Sequence, residues 1–168
     1  MSLSPNHSQF ETLRLFTPIL HSTRQVHEEQ QLADDQGSHP LTPPMMVYVS
    51  AQSMHMDPEI WGPDVSQFKP SRWIDGSGNL ITPPKGTFLP WSGGPRICPG
   101  MKMAQVEFVA TFATLFRSAR CEPLRDGQET DKEARKRLEN IMEDSVSKLT
   151  LQVRDLKTVR LRWIRQSS

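Results

Sequence analysis

Cys98 stands at the end of the run Trp91-Ser92-Gly93-Gly94-Pro95-Arg96-Ile97-Cys98-Pro99-Gly100, and an amphipathic stretch begins directly after it at Met101. Pro99 suits a first helical position, because proline has no amide hydrogen to leave unpaired and its φ is already helical. The expectation is therefore a helix from Pro99 to about Arg117 with Cys98 at or near its N-cap. There, free backbone N–H groups and the positive end of the helix dipole favour a thiolate. Gly93, Gly94 and Gly100 take side chains away on both sides of the sulfur, so a large flat group can approach closely. Arg96, two residues before the cysteine, offers a cation to an anionic group on such a ligand. A thiolate, room for a plane and a cation for its carboxylates suit haem. A lone cysteine is more often a small buried hydrophobe, and on these residues alone both readings stand. A structural zinc site needs further Cys or His at short spacing, and a Cys-x-x-Cys pair is absent because the only other cysteine is Cys121.

Gly94, Arg96, Cys98 and Gly100 match, in register, the pattern Phe-x-x-Gly-x-Arg-x-Cys-x-Gly. The segment resembles the haem-binding signature of the cytochrome P450 monooxygenases. Trp91 takes the aromatic position; its indole N–H wants a partner if buried. Phe88 stands three residues too early to be that aromatic. Glu11-Thr12-Leu13-Arg14 resembles the family's Glu-x-x-Arg, which puts both charges on one helix face. Phe68-Lys69-Pro70-Ser71-Arg72-Trp73 resembles the later segment whose arginine joins that pair. The resemblance implies a buried network of Glu11, Arg14 and Arg72 that supports the cysteine loop, a folding role more than a catalytic one. The residues also allow another reading of Glu11, in which Ser8-Gln9-Phe10-Glu11 is a capping box. Arg24, ten residues past Arg14, matches a family position that binds a haem propionate.

The resemblance further implies thiolate-ligated iron protoporphyrin with Cys98 as the axial iron ligand and Arg24, Trp91, Gly94, Arg96 and Gly100 around the cofactor. It implies an oxidoreductase that inserts one oxygen atom into a small organic substrate. An NADPH-dependent reductase would supply electrons at the cysteine face, where Lys69, Arg72 and Lys102 add positive charge. The late segments are similar in spacing to fungal members that tailor secondary metabolites. The family's catalytic domain is more than twice the length of these 168 residues. The chain is thus expected to be, over residues 1–168, the C-terminal part of a P450 domain, without the membrane anchor, the substrate loops or the oxygen-activating acid–alcohol pair. No catalytic residue is assigned in it. Gly127-Gln128-Glu129-Thr130 places an acid beside a hydroxyl, but in a charged run where Thr130 reads as an N-cap completed by Glu133. The alternative to an enzyme is a truncated, non-catalytic remnant, or a haem-binding or interaction module.

These side chains need elements to hold them. The fold class expected is α+β, mainly α. A short helix over about Gln9 to Phe16 follows a polar lead from Ser2 to Ser8 and is stopped by Pro18. Small strands come next, clearest at Met46 to Ser50, then a helix start at Asp57-Pro58-Glu59. From Gly62 to Gly100 the frequency of Pro and Gly predicts a meander. Past the Cys98 helix comes a charged helix near Asp131 to Met142. Leu149, Leu151 and Val153, then Val159, Leu161 and Trp163, alternate and predict a C-terminal antiparallel hairpin with Arg160 and Arg162 on its wet face. Val109 to Phe116 contains no charge, so that helix needs cover on every side.

Lys plus Arg at 20 against Asp plus Glu at 19 leaves a net charge of +1, so no nucleic-acid footprint stands out. Two cysteines make no disulfide framework, which fits an intracellular, reducing compartment. No segment reaches the roughly 18 uninterrupted apolar residues of a membrane span. A cytoplasmic location is expected for the chain by itself, and the endoplasmic reticulum membrane for a full-length relative. The five histidines are scattered, and His55 is expected in a surface or loop hydrogen bond.

Overall fold

In the computed structural model, which describes residues 5–166, five helices and eight short strands follow one another along the chain. Helix α1 (Pro5–Leu15) stops short of Pro18, whose ring cannot continue the ladder. It starts earlier than expected and takes in Ser8, so Ser8 is no N-cap and the capping-box reading of Glu11 fails. The part of the polar lead at residues 2–4 lies outside the described residues.

Strands β1 (His21–Val26) and β4 (Met45–Ser50) pair antiparallel, His21 opposite Ser50 and Arg24 opposite Val47. Between them the chain makes a second, exposed hairpin, β2 (Gln30–Asp34) with β3 (Gly37–Leu41). Helix α2 (Ala51–His55) is capped by the Ser50 side chain, which accepts from the Ser53 amide. Helix α3 (Pro58–Trp61) is capped by Asp57, as the Asp-Pro-Glu run predicts, and ends at Gly62 with φ 87°. The meander from Gly62 to Gly100 is ordered by turns and by 3-10 turns at Pro70–Trp73 and Gly94–Arg96.

Helix α4 (Met101–Phe116) begins two residues later than expected, with Gly100 at the N-cap. Strand β5 (Ala119–Pro123) leads to helix α5 (Asp131–Glu143), where Thr130 and Glu133 form the predicted capping box. Glu129, in the charged run, is held by the Arg137 guanidinium at 3.0 and 3.1 Å. The expected hairpin of residues 149–163 does not form. Strand β7 (Leu151–Val153) pairs with β6 (Ser145–Ser147), whereas β8 (Leu161–Arg165) crosses to β5, with Cys121 opposite Trp163. The reason is that alternation selects a strand but not its partner. With five helices and eight strands in four antiparallel pairs, the described residues form a mixed α and β fold.

The core is small and unusual. Trp73 and Ala134 are its most buried apolar residues, and Glu11, Arg14, Thr17 and His55 are fully buried as well. Phe88 sits at the centre of an aromatic cluster, its ring 4.7 Å from Trp73, 5.2 Å from His55 and 6.1 Å from both Trp61 and Phe10. Helix α4 packs on α1, and Gln9 Nε2 donates to the Ala104 carbonyl, yet α4 buries no residue completely. Met103, Val106, Phe112, Leu115 and Phe116 are exposed along it.

Candidate functional site: the cysteine turn and its buried charge support

The chain enters the cysteine turn through Leu89 and Pro90. Ser92 and Gly94 adopt positive φ, 63° and 66°, a region that glycine enters at no steric cost and serine does not. The strain at Ser92 is balanced by backbone bonds: its own amide donates to the Leu89 carbonyl at 3.2 Å, and the Cys98 amide donates to the Trp91 carbonyl at 2.8 Å. Ile97 N–H donates to the Gly94 carbonyl and Met101 N–H to the Cys98 carbonyl, so Cys98 lies in a turn before the helix. It stands near the N-cap, two residues before Gly100, which takes that position. A Cβ at Gly94 would meet nothing within 4 Å, so the loop surface there is open; one at Gly100 would lie 3.8 Å from the Cys98 sulfur.

The half-buried Cys98 lines a cavity of about 430 Å³. Ile19, Val49, Leu89 and Pro90 give it apolar walls; Trp91 and Gly93 line it beside the cysteine; Arg24 and Arg96 are its two arginines. No carboxylate lines it. Arg24 is carried by β1 and reaches the cysteine turn, its Nη2 lying 3.5 Å from the Ser92 hydroxyl. The structure thus brings Arg24, Trp91, Arg96 and Cys98, four residues singled out in the sequence, to one cavity. The Trp91 indole nitrogen is buried and lacks a hydrogen-bond acceptor. A thiol, two cations and no acid around apolar walls form a donor set that fits an iron porphyrin with two carboxylates.

Behind the turn lies the charge network. Glu11 and Arg14 form a bidentate pair, Arg14 Nε to Oε2 at 3.0 Å and Nη2 to Oε1 at 2.9 Å, with both side chains fully buried. Glu11 also accepts from the Lys69 amide at 3.0 Å, the Trp73 indole at 2.9 Å and Arg72 Nε at 3.4 Å. Burial pushes the Glu11 carboxyl up, but the bonds from Arg14, Lys69 and Trp73 outweigh it, so the group titrates below its ordinary value. Arg14 spends its remaining donors on the carbonyls of His55 at 2.8 Å and Val65 at 2.7 Å, and lies over the Trp61 ring at 5.5 Å. Arg72 donates to Asp64 Oδ1 at 2.8 Å and to the Trp61 carbonyl at 2.6 Å. Hydrogen bonds from Lys69 and Arg72 lower the Asp64 carboxyl to about 2.

Several readings need correction. Arg72 and Lys69 were expected to add charge to a reductase-facing surface. Arg72 instead binds Asp64 with its side chain only 11% exposed; Lys69 also pairs with Asp64 but stays exposed, as does Lys102. His55 makes the loop hydrogen bond expected of it, its Nε2 accepting from the Leu89 amide at 2.9 Å, but it is wholly buried and not on the surface. Asp64, His55 and Phe88 were missed as members of the support. Trp73, adjacent to Arg72 in the recognised segment, was legible in principle, since a buried indole N–H requires an acceptor.

A family profile described as Cytochrome P450 matches residues 10–148. The chain belongs to the cytochrome P450 family. Over 80 residues it is 52% identical to the phomenoic acid biosynthesis cluster cytochrome P450 monooxygenase of Leptosphaeria maculans, covering 46% of this chain and 14% of that protein. It is 36% identical over 108 residues to 7-deoxyloganic acid hydroxylase of Catharanthus roseus, 64% of this chain and 20% of the relative. Benzoate 4-monooxygenase of Aspergillus niger is 29% identical over 134 residues, 73% of this chain and 26% of the relative. The matched stretches thus span at most about a quarter of these three relatives' length. P450 proteins depend on haem held by a thiolate, and haem is the cofactor expected here. No helix among the described residues is long and apolar enough to cross a membrane.

Proposed function

We propose that this P450 chain forms the thiolate side of a haem-dependent monooxygenase domain, residues 1–168 corresponding to the C-terminal part of that domain. The observation that carries the reading is the convergence of Cys98, Arg24 and Arg96 on one apolar cavity without a carboxylate. Cys98 would ligate the iron, Arg24 and Arg96 would pair with the propionates, and Gly94 and Gly100 leave room beside the sulfur. Trp91 closes one side of the turn. The bound haem supplies oxygen activation, favoured by the electron donation of a thiolate. The protein's part is to hold the sulfur in place and to pair the propionates. It does so through Glu11, Arg14 and Arg72, which anchor the meander, and through the Trp91 carbonyl, which holds the Cys98 amide.

The substrate class is a small organic molecule and the electron donor an NADPH-dependent reductase. The Leptosphaeria maculans relative, named for a biosynthesis cluster, supports secondary-metabolite tailoring. A second reading, a haem-binding module that does not oxidise substrate by itself, is favoured by the apolar residues Met103, Val106, Phe112, Leu115 and Phe116 left exposed along α4.

The test is haem reconstitution of the purified chain, followed by reduction and carbon monoxide. The expected spectrum is that of thiolate ligation, lost in Cys98→Ser, with haem retention weakened in Arg24→Ala and Arg96→Ala. A histidine-type spectrum unchanged by Cys98→Ser would overturn the assignment. Product formed with a reductase and NADPH, carrying oxygen from labelled dioxygen, separates the enzyme from the module.

A further inference from the structure

His55 closes α2 and is wholly enclosed, with its ring 5.2 Å from Phe88. It is bonded on two sides. Its carbonyl accepts from Arg14 Nη1 at 2.8 Å, and its Nε2 accepts from the Leu89 amide at 2.9 Å. The stretch at Leu89 pairs with no strand, so its amide has no ladder partner and a side chain supplies the acceptor. Only a neutral imidazole protonated at Nδ1 accepts at Nε2, and that Nδ1 is buried without a partner. The cost of an unpaired buried nitrogen is tolerated at a position where the opposite nitrogen must accept. Burial and the Arg14 charge lower the imidazole to about 4, which keeps it in the accepting form.

The Leu89 bond leads directly to the cysteine turn. The Leu89 carbonyl holds the Ser92 amide, where φ is positive, and the Trp91 carbonyl holds the Cys98 amide. Leu89 also lines the cavity and lies against Gly93, where a Cβ would meet its Cδ2 at 3.3 Å. We propose that His55 is a positioning residue for Cys98: its Nε2 ties the Leu89 amide and so sets the cysteine turn against the Glu11–Arg14 pair. This rests on the reading of Cys98 as haem ligand, but half of its test does not.

His55→Phe keeps a ring against Phe88 and removes the acceptor; His55→Gln returns an amide oxygen at the reach of Nε2. In the haem-free full chain, His55→Phe should speed amide exchange at Leu89, Ser92 and Cys98 about tenfold, the size of one net hydrogen bond. Exchange at Ala134 in α5 should stay unchanged, and His55→Gln should restore slow exchange at Leu89. In the haem-loaded chain, the thiolate fraction of the reduced carbon monoxide complex should fall in His55→Phe and recover in His55→Gln. Unchanged exchange at Leu89 and Cys98, or an equal rise at Ala134, would overturn the proposal. Should His55→Phe fail to fold, His55→Gln and the shorter His55→Asn decide: protection at Leu89 in glutamine but not asparagine supports it, and equal protection in both refutes it. Failure of the unsubstituted chain to take up haem would refute the haem reading alone, since the exchange experiment still decides the role of His55.

Discussion

Replacing Glu11 with glutamine changes one oxygen into an NH₂ group and little else, which makes it a sharp probe of the buried network. Oε1 accepts from Arg14 Nη2, the Lys69 amide and Arg72 Nε, while Oε2 accepts from Arg14 Nε and the Trp73 indole. Whichever way the new amide turns, its NH₂ group faces at least two donors. Each lost bond to a charged group is worth about 1.5–3 kcal/mol, and Arg14 is left buried without its counter-charge. The expected loss is about 3–5 kcal/mol, the range for breaking a buried ion pair by removing one partner. That is a large share of the roughly 5–15 kcal/mol that stabilises an ordinary domain. Urea unfolding of the full chain, followed by the fluorescence of the buried Trp61 and Trp73, measures it. A loss of only about 1 kcal/mol, the net size of a single ordinary hydrogen bond, would refute the reasoning.

Stability should fall as the pH drops below neutral. The imidazole of His55 titrates at about 4 in the folded chain against 6.5 ordinarily, so the unfolded chain binds the extra proton first. The contribution is complete above 6.5, declines through the interval and is gone below about 4, an upper bound of about 3 kcal/mol. The lowered Glu11 carboxyl adds a further loss below 4.5, and His55→Gln should flatten the upper limb of a plot of urea midpoint against pH. Phe88→Ala should cost about 3 kcal/mol, the low end for a core Phe because Phe88 is only half-buried at the centre of the aromatic cluster; an unchanged melting temperature would place the core elsewhere. Thr130→Ala should cost about 1 kcal/mol through the lost cap of α5, visible as faster exchange at Glu133, with the Cys98 turn unaffected.

The chemistry-bearing residues were legible because their information is local. Gly94, Arg96, Cys98 and Gly100 lie within seven residues, Glu11 and Arg14 share one turn of α1, and Thr130 with Glu133 spells its own cap. Side-chain type and short spacing decide such features before any folding. Helix α5 and strand β4 were readable for the same reason. The partners of those residues were not. Asp64 meets Arg72, His55 meets Leu89 and Phe88 meets Trp73 only after the meander folds back.

The same limit explains the failed hairpin. Alternation at Leu161 and Trp163 makes a strand, but whether β5 or β7 lies beside it depends on where α5 returns the chain. Burial is the other quantity that spacing does not carry. His55 reads as a polar residue between Met54 and Met56, and nothing local tells that Phe88 and Arg14 close over it from distant positions. The sequence by itself determined which groups can bind and which segments can be helix or strand, since those follow from residue chemistry and local backbone preference. The tertiary structure decided which charges lose their water and which amides need an imidazole, because desolvation depends on segments far apart in the chain.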